Sequence, residues 1–173
     1  MVETFQDQYR LAYRILRFSS CLLLGGVIAQ FFSCLSAYLI ISDSQAAGML
    51  AHILIQHLSY YILGCTFITL SLANVLIKRE QYGLRVIRMP ALVLILVTAT
   101  SSFLLIPRMD FLRETALLDG MPVALSPFAN YFAILNGLTF VSVATQMICC
   151  GLMAWRLSKP RSTQVAPYWS NQW

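Results

Sequence analysis

Four apolar blocks divide the chain, and charged or turn-forming residues stand at every break between them. The blocks cover roughly 18–41, 49–77, 89–106 and 131–155. Each comes near or exceeds the roughly 20 residues that an α-helix needs to cross a hydrocarbon core. A tight link from Ser42 to Gly48 joins the first two, and Lys78, Arg79, Glu80, Arg85 and Arg88 make a short basic loop before the third. Pro90 suits the first turn of that third helix, where its missing N–H does no harm. Pro107 predicts its end. Beyond it, Met109, Leu112, Ala116 and Leu117 recur at helical spacing, which predicts a short amphipathic helix lying on the outer surface. Asp119-Gly120 reads as a turn, and Pro122 and Pro127 keep the rest of the connection extended.

Ahead of the first block, Phe5, Tyr9, Ala12, Tyr13 and Leu16 share one helical face and Arg10, Arg14 and Arg17 the opposite one. That pattern fits an interfacial helix with its basic side toward anionic headgroups. It fits equally a cytoplasmic extension of the first span. The apolar run that follows is too long for the core of a signal peptide.

Composition agrees with the pattern. Apolar residues make up 58% of the chain and charged ones 11%, with a mean hydropathy of +0.70. A soluble domain carries about 25% charged residues. The expected fold is therefore all-α: a single-domain polytopic membrane protein, a four-helix transmembrane bundle with a long outer loop containing a short interfacial helix. Of the 12 Lys and Arg residues, Arg108 and Arg113 alone fall on the long-loop side. The positive-inside rule then puts both termini in the cytoplasm, with a bacterial cytoplasmic membrane as the expected location. The net charge of +5 flanks the apolar blocks, which points to lipid headgroups and not to nucleic acid. The five cysteines, Cys21, Cys34, Cys65, Cys149 and Cys150, lie inside the blocks, where cysteine behaves as a small apolar residue.

Candidate chemistry is sparse. Cys21, Gly25, Ala29, Ser33 and Ala37 recur every fourth residue along the first span, a stripe that permits close approach of a partner helix or a second copy. Gln30, Gln56, Asn136, Thr139, Ser142 and Gln146 are polar positions inside the blocks, and an amide facing lipid is costly. Asn136 and Gln146 are expected to face the bundle interior, with the long loop folded over them. At the outer boundary, Arg108, Asp110, Arg113 and Glu114 form a charged knot in which Arg113 can lie between acids. One reading is an anion or carboxylate site beneath the loop, with Arg108 and Arg113 as ligand-binding residues, apart from the cavity that Asn136, Gln146, Gln30 and Gln56 would line between the spans. The other is an interfacial helix whose charges stay in water. Met147, Cys150 and Met153, with Met49 and His52, are soft-metal donors by type. They belong near opposite ends of their helices, so no metal site is expected. His52 and His57 share one helix, which leaves no second axial histidine for haem. There is no Ser-His-Asp set, metal-spaced His/Glu motif or phosphate-binding glycine loop, so neither an enzyme nor a cofactor is expected.

Three segments, AAGMLAHIL (46–54), IPRMDFLRE (106–114) and FAILNGLTF (132–140), together resemble the transmembrane protein 205-like family of small four-span proteins, a domain of unknown function. The resemblance runs over nearly the whole chain and implies an architecture. Asn136 stands where the family pattern has histidine, so no proton or metal chemistry is carried over. Two functions follow as expectations. One is an accessory, scaffold or binding protein acting through helix packing. The alternative is a small transporter or exporter of metal or organic cations, although no charged residue lies within the four blocks.

Overall fold

The computed structural model describes residues 2–42, 44–78 and 84–158, with side chains described from position 11 onward except at 44, 45 and 124. Five α-helices account for nearly all of it: α1 (Val2–Ile40), α2 (Ser44–Lys78), α3 (Arg85–Thr100), α4 (Ile106–Leu118) and α5 (Ala129–Ser158). Four stretches are long and apolar enough to cross a membrane: Leu11–Ile40, Ala46–Lys78, Arg85–Leu118 and Ala129–Ser158.

The N-terminal stretch extends the first span. Neither Gly nor Pro interrupts residues 2–24, so nothing breaks the helix where an interfacial segment would have to turn. Tyr13 fastens it to the far end of α5 by donating its hydroxyl to the Leu157 carbonyl at 3.1 Å. The link between α1 and α2 is shorter than expected, residues 41–43, because Gln45, Ala46 and Ala47 are good helix formers and join α2. The basic loop at 79–83 and the segment from 159 onward, with its PYWSNQW end, lie outside the described residues.

Pro107 does not end the third span. The helix opens into a π-turn over Ser101–Leu105, where the Ile106 N–H reaches back five residues to the Ser101 carbonyl. A proline ring inside regular α-helix clashes with the carbonyl four residues earlier and supplies no donor. The wider turn just ahead of Pro107 absorbs that misfit, and Pro107 then sits in the first turn of the resumed helix. So α3, the π-turn and α4 form one continuous element.

The short helix on the outer surface is accordingly corrected. Residues 106–118 are helical, but Met109, Leu112, Arg113 and Ala116 make a buried face, and the whole segment continues the span. The remaining connection is residues 119–128. Its second residue is Gly120, whose φ of 70° is the left-handed conformation that glycine adopts freely. The Gly120 N–H donates to Leu117 and the Met121 N–H to Ala116, which caps α4 in the Schellman manner.

Around the bundle, α1 and α3 each pack on both α2 and α5, so the order is α1, α2, α3, α5 with antiparallel neighbours. Buried positions repeat at three- and four-residue steps, as in Leu16, Ser20, Leu23, Val27 and Gln30 of α1 and Leu135, Thr139, Ser142, Gln146 and Cys149 of α5. That spacing suits nearly aligned helices. The main apolar core lies toward the end holding the start of α1, built on Leu16, Leu23, Ile62, Leu94, Cys150 and Met153. At the other end, called here the loop end, the apolar cluster is small: Met109, Leu112 and Leu135, with Phe132 against them.

Between the two lies a polar layer. Ser101 and Ser142 hydrogen-bond to each other across α3 and α5. Gln30 and Gln146 are fully buried, and neither amide has a hydrogen-bond partner among the described residues. Ser59, Thr98 and Ser102 are buried hydroxyls in the same condition.

Candidate functional site: a paired cluster and a groove at the loop end

His52 on α2 and Asp110 on α4 both lie roughly 12 Å below the loop ends of their helices, at 1.5 Å per residue. Antiparallel packing therefore brings them level, and His52 Nδ1 stands 2.9 Å from Asp110 Oδ1. A carboxylate can only accept, so Nδ1 carries the hydrogen and donates it. Arg113, one turn beyond Asp110, places Nη1 3.5 Å from the same carboxylate oxygen. The same Nη1 lies 3.5 Å from His52 Nδ1. That contact is no hydrogen bond, since the nitrogen already donates to Asp110.

Arg113 is only 5% exposed, and its environment is built for it. Its guanidinium lies over the Phe132 ring at 5.6 Å. Gly48 leaves the necessary room: a Cβ there would stand 2.9 Å from Arg113 Nη2 and 3.5 Å from the Tyr38 hydroxyl. A buried guanidinium without a counter-charge is strongly unfavourable, and Asp110 supplies one. One carboxylate answers one guanidinium, so the cluster carries no surplus charge of either sign.

Beside this cluster a groove of about 360 Å³ runs between α1 and α5, with α2 as its floor. Ala51, His52 and Ile55 are the buried floor, whereas Leu35, Tyr38, Asn136 and Phe140 are exposed along the rim. The groove thus opens sideways, toward the surface that lipid would cover. From Phe31 to Tyr38 it extends roughly 10 Å along α1. Its polar groups are few. Cys34 directs its thiol to the Ala51 carbonyl at 3.9 Å, and Thr139 donates to Leu135 O at 3.0 Å. His52 and Asn136 line it, and among the described residues neither His52 Nε2 nor the Asn136 amide has a hydrogen-bond partner.

The residues singled out in the sequence separate into three places. Arg113 belongs to the cluster. Asn136 lines the groove and is exposed, a correction to its expected place in the bundle interior. Position 136 follows the buried Leu135 by one step of about 100°, which turns it off the inward face. Gln146 does face inward, as does Gln30, and both lie in the polar layer. Gln56 is half-buried on α2, and Arg108 is exposed, away from the groove.

The His52–Asp110 pair was not read from the sequence. Its signal was present: Arg113 shares a helical face with Met109, Leu112 and Ala116, and an arginine on an apolar stripe needs an acid within reach. Among the described residues no group of three or more His, Cys, Asp or Glu side chains is arranged to hold a metal ion. Comparisons with protein-family models, curated proteins and solved structures find no match to this chain.

Proposed function

We propose that this chain is an integral membrane protein that binds one amphipathic molecule in the loop-end groove and carries out no chemistry on it. The observation that carries the reading is a sideways-opening, mostly apolar groove whose floor includes the buried His52, itself held from behind by the charge-balanced Asp110–Arg113 pair. Ligand sites combine apolar walls with a few fixed polar groups in this way, typically in volumes of about 300–1,000 Å³. Binding fits better than catalysis, because the Thr139 hydroxyl and the Cys34 thiol already point to backbone carbonyls. A carboxylate-bearing ligand, the anion reading of the charged knot, loses support because Arg113 is matched by Asp110.

Likeness to the transmembrane protein 205-like family belongs to the same proposal. Its support is that the three resembling segments hold Gly48 and His52, Asp110 and Arg113, and Phe132, Asn136 and Thr139. An accessory role also stays open to the chain. Cys21, Gly25 and Ala29 are exposed, and a side chain at Gly25 would meet open space, so this part of the stripe is free for a partner helix. Ala37 is different, being buried within the bundle.

Export of metal or organic cations is the second reading, favoured by the buried amides of Gln30 and Gln146. Both are neutral, and the carboxylate nearest the groove is already paired with Arg113. Transport assays in liposomes are expected to be flat.

A photoreactive diazirine amphiphile tests the binding reading. Labelled peptides should map to the Phe31–Tyr38 and Asn136–Val143 walls, and Ile55→Trp, which fills the floor, should abolish that labelling. Labelling spread evenly over the exposed faces, unchanged by Ile55→Trp, would contradict it.

A further inference from the structure

Resting on the groove reading, the geometry points to a neutral hydroxyl-bearing aromatic amphiphile, a phenol or hydroquinone with an apolar tail, as the ligand class. We infer this from which hydrogen-bonding roles the protein leaves open.

The Asp110 carboxylate fixes the hydrogen of His52 on Nδ1. The other ring nitrogen, Nε2, then presents a lone pair and no hydrogen. In a groove of otherwise apolar floor, that lone pair asks for a donor. A ligand hydroxyl supplies one. An ester or ether oxygen does not, and a carboxylate would bring negative charge against the lone pair, with Asp110 behind it. Asn136, across the groove on α5, has both amide roles free and can serve the oxygen that accepts as well as donates.

Charge selects in the same direction. Asp110 and Arg113 cancel, so nothing in the groove attracts an ionic head. Phe31, Tyr38 and Phe140 line the groove and offer ring faces and edges to a flat head. His52 and Asn136 stand roughly 10–12 Å in from the loop ends of α2 and α5, so the head would lie at that depth, with the Leu35 and Phe140 rim open to the tail.

The test is equilibrium binding to the purified full chain in mild detergent, with each compound referenced to its own partition into empty micelles. The probes are a short-tailed hydroquinone, its dimethyl ether, an aliphatic alcohol and a carboxylic acid of matched length. The hydroquinone should bind roughly tenfold more tightly than its dimethyl ether, the effect of one hydrogen bond in a dry site. His52→Leu removes the ring nitrogen acceptor and adds none, while Asp110 keeps Arg113 as its partner. In that variant the preference for hydroxyl over ether should collapse toward unity. Asn136→Leu, at an exposed position, should weaken hydroquinone binding while leaving the fold intact.

Equal binding of hydroquinone and ether to the unaltered chain overturns the inference while the groove reading stands. So does tighter binding of the carboxylic acid, which would make Arg113 the reader of the ligand. An aliphatic alcohol that outbinds the hydroquinone keeps the His52 acceptor but overturns the aromatic head. Binding of none of the probes overturns the inference as well. The groove itself is judged separately, by the diazirine labelling.

Discussion

Arg113 is the residue on which the loop end depends. Its guanidinium is buried with Asp110 as counter-charge, Phe132 as a ring face and Gly48 as the source of space. Asp110→Asn should therefore lower stability by about 1–3 kcal/mol, the cost of leaving a buried polar group short of its partner; Asp110 is 42% exposed, which keeps the figure below that of a fully enclosed pair. Adding Arg113→Met to Asp110→Asn should recover part of that loss in thermal unfolding. Strict additivity of the two changes would mean that the charges are not coupled. Gln146 invites the opposite experiment. Its buried amide has no partner among the described residues, so Gln146→Met should raise stability, by about 1 kcal/mol or more. A fall instead would show that the amide is satisfied and structural. Of these two residues, Gln146 was legible as an amide inside an apolar block, where facing lipid is costly. Arg113 was readable as part of an anion site or as a charge in water, and its burial was missed because spacing alone does not say which side of α4 meets the bundle.

At the scale of elements, the π-turn decides where α4 points. Residues 101–105 hold one residue more than an α-helical turn would, so everything after them is rotated by about 100° relative to a regular helix. That rotation brings Asp110 and Arg113 to His52. Deleting Leu104, which is exposed, should convert the turn to α-helix and swing Asp110 off α2. A short bismaleimide should join His52→Cys to Asp110→Cys in the full-length chain and fail to join them after the deletion. Equal yields in both would show that α4 is oriented by something other than the π-turn. This element also shows why part of the fold was hidden. Pro107 is a helix breaker by every local rule, and the sequence carries no sign that five preceding residues have widened to receive it. The four spans themselves were plain, since hydrophobic length needs no knowledge of neighbours. The groove was not, because His52, Asn136 and Tyr38 come together only when three helices are placed.

The whole molecule has an uneven interior: apolar packing around Leu23, Ile62, Leu94 and Met153, a polar layer at Gln30 and Gln146, and the charge-balanced cluster at the loop end. The distribution of Lys and Arg predicts an orientation with the loop end outside. A cysteine placed at Asp119 should react with an impermeant maleimide added to intact cells, whereas one at Gln81 should react only after lysis. The reverse pattern would invert the orientation. The most direct test of the account is native mass spectrometry of the chain released from membrane nanodiscs. A single bound amphiphile should survive release from the unaltered protein and be lost from Ile55→Trp of equal thermal stability. The same occupancy in both would mean that the loop-end groove is not the binding site.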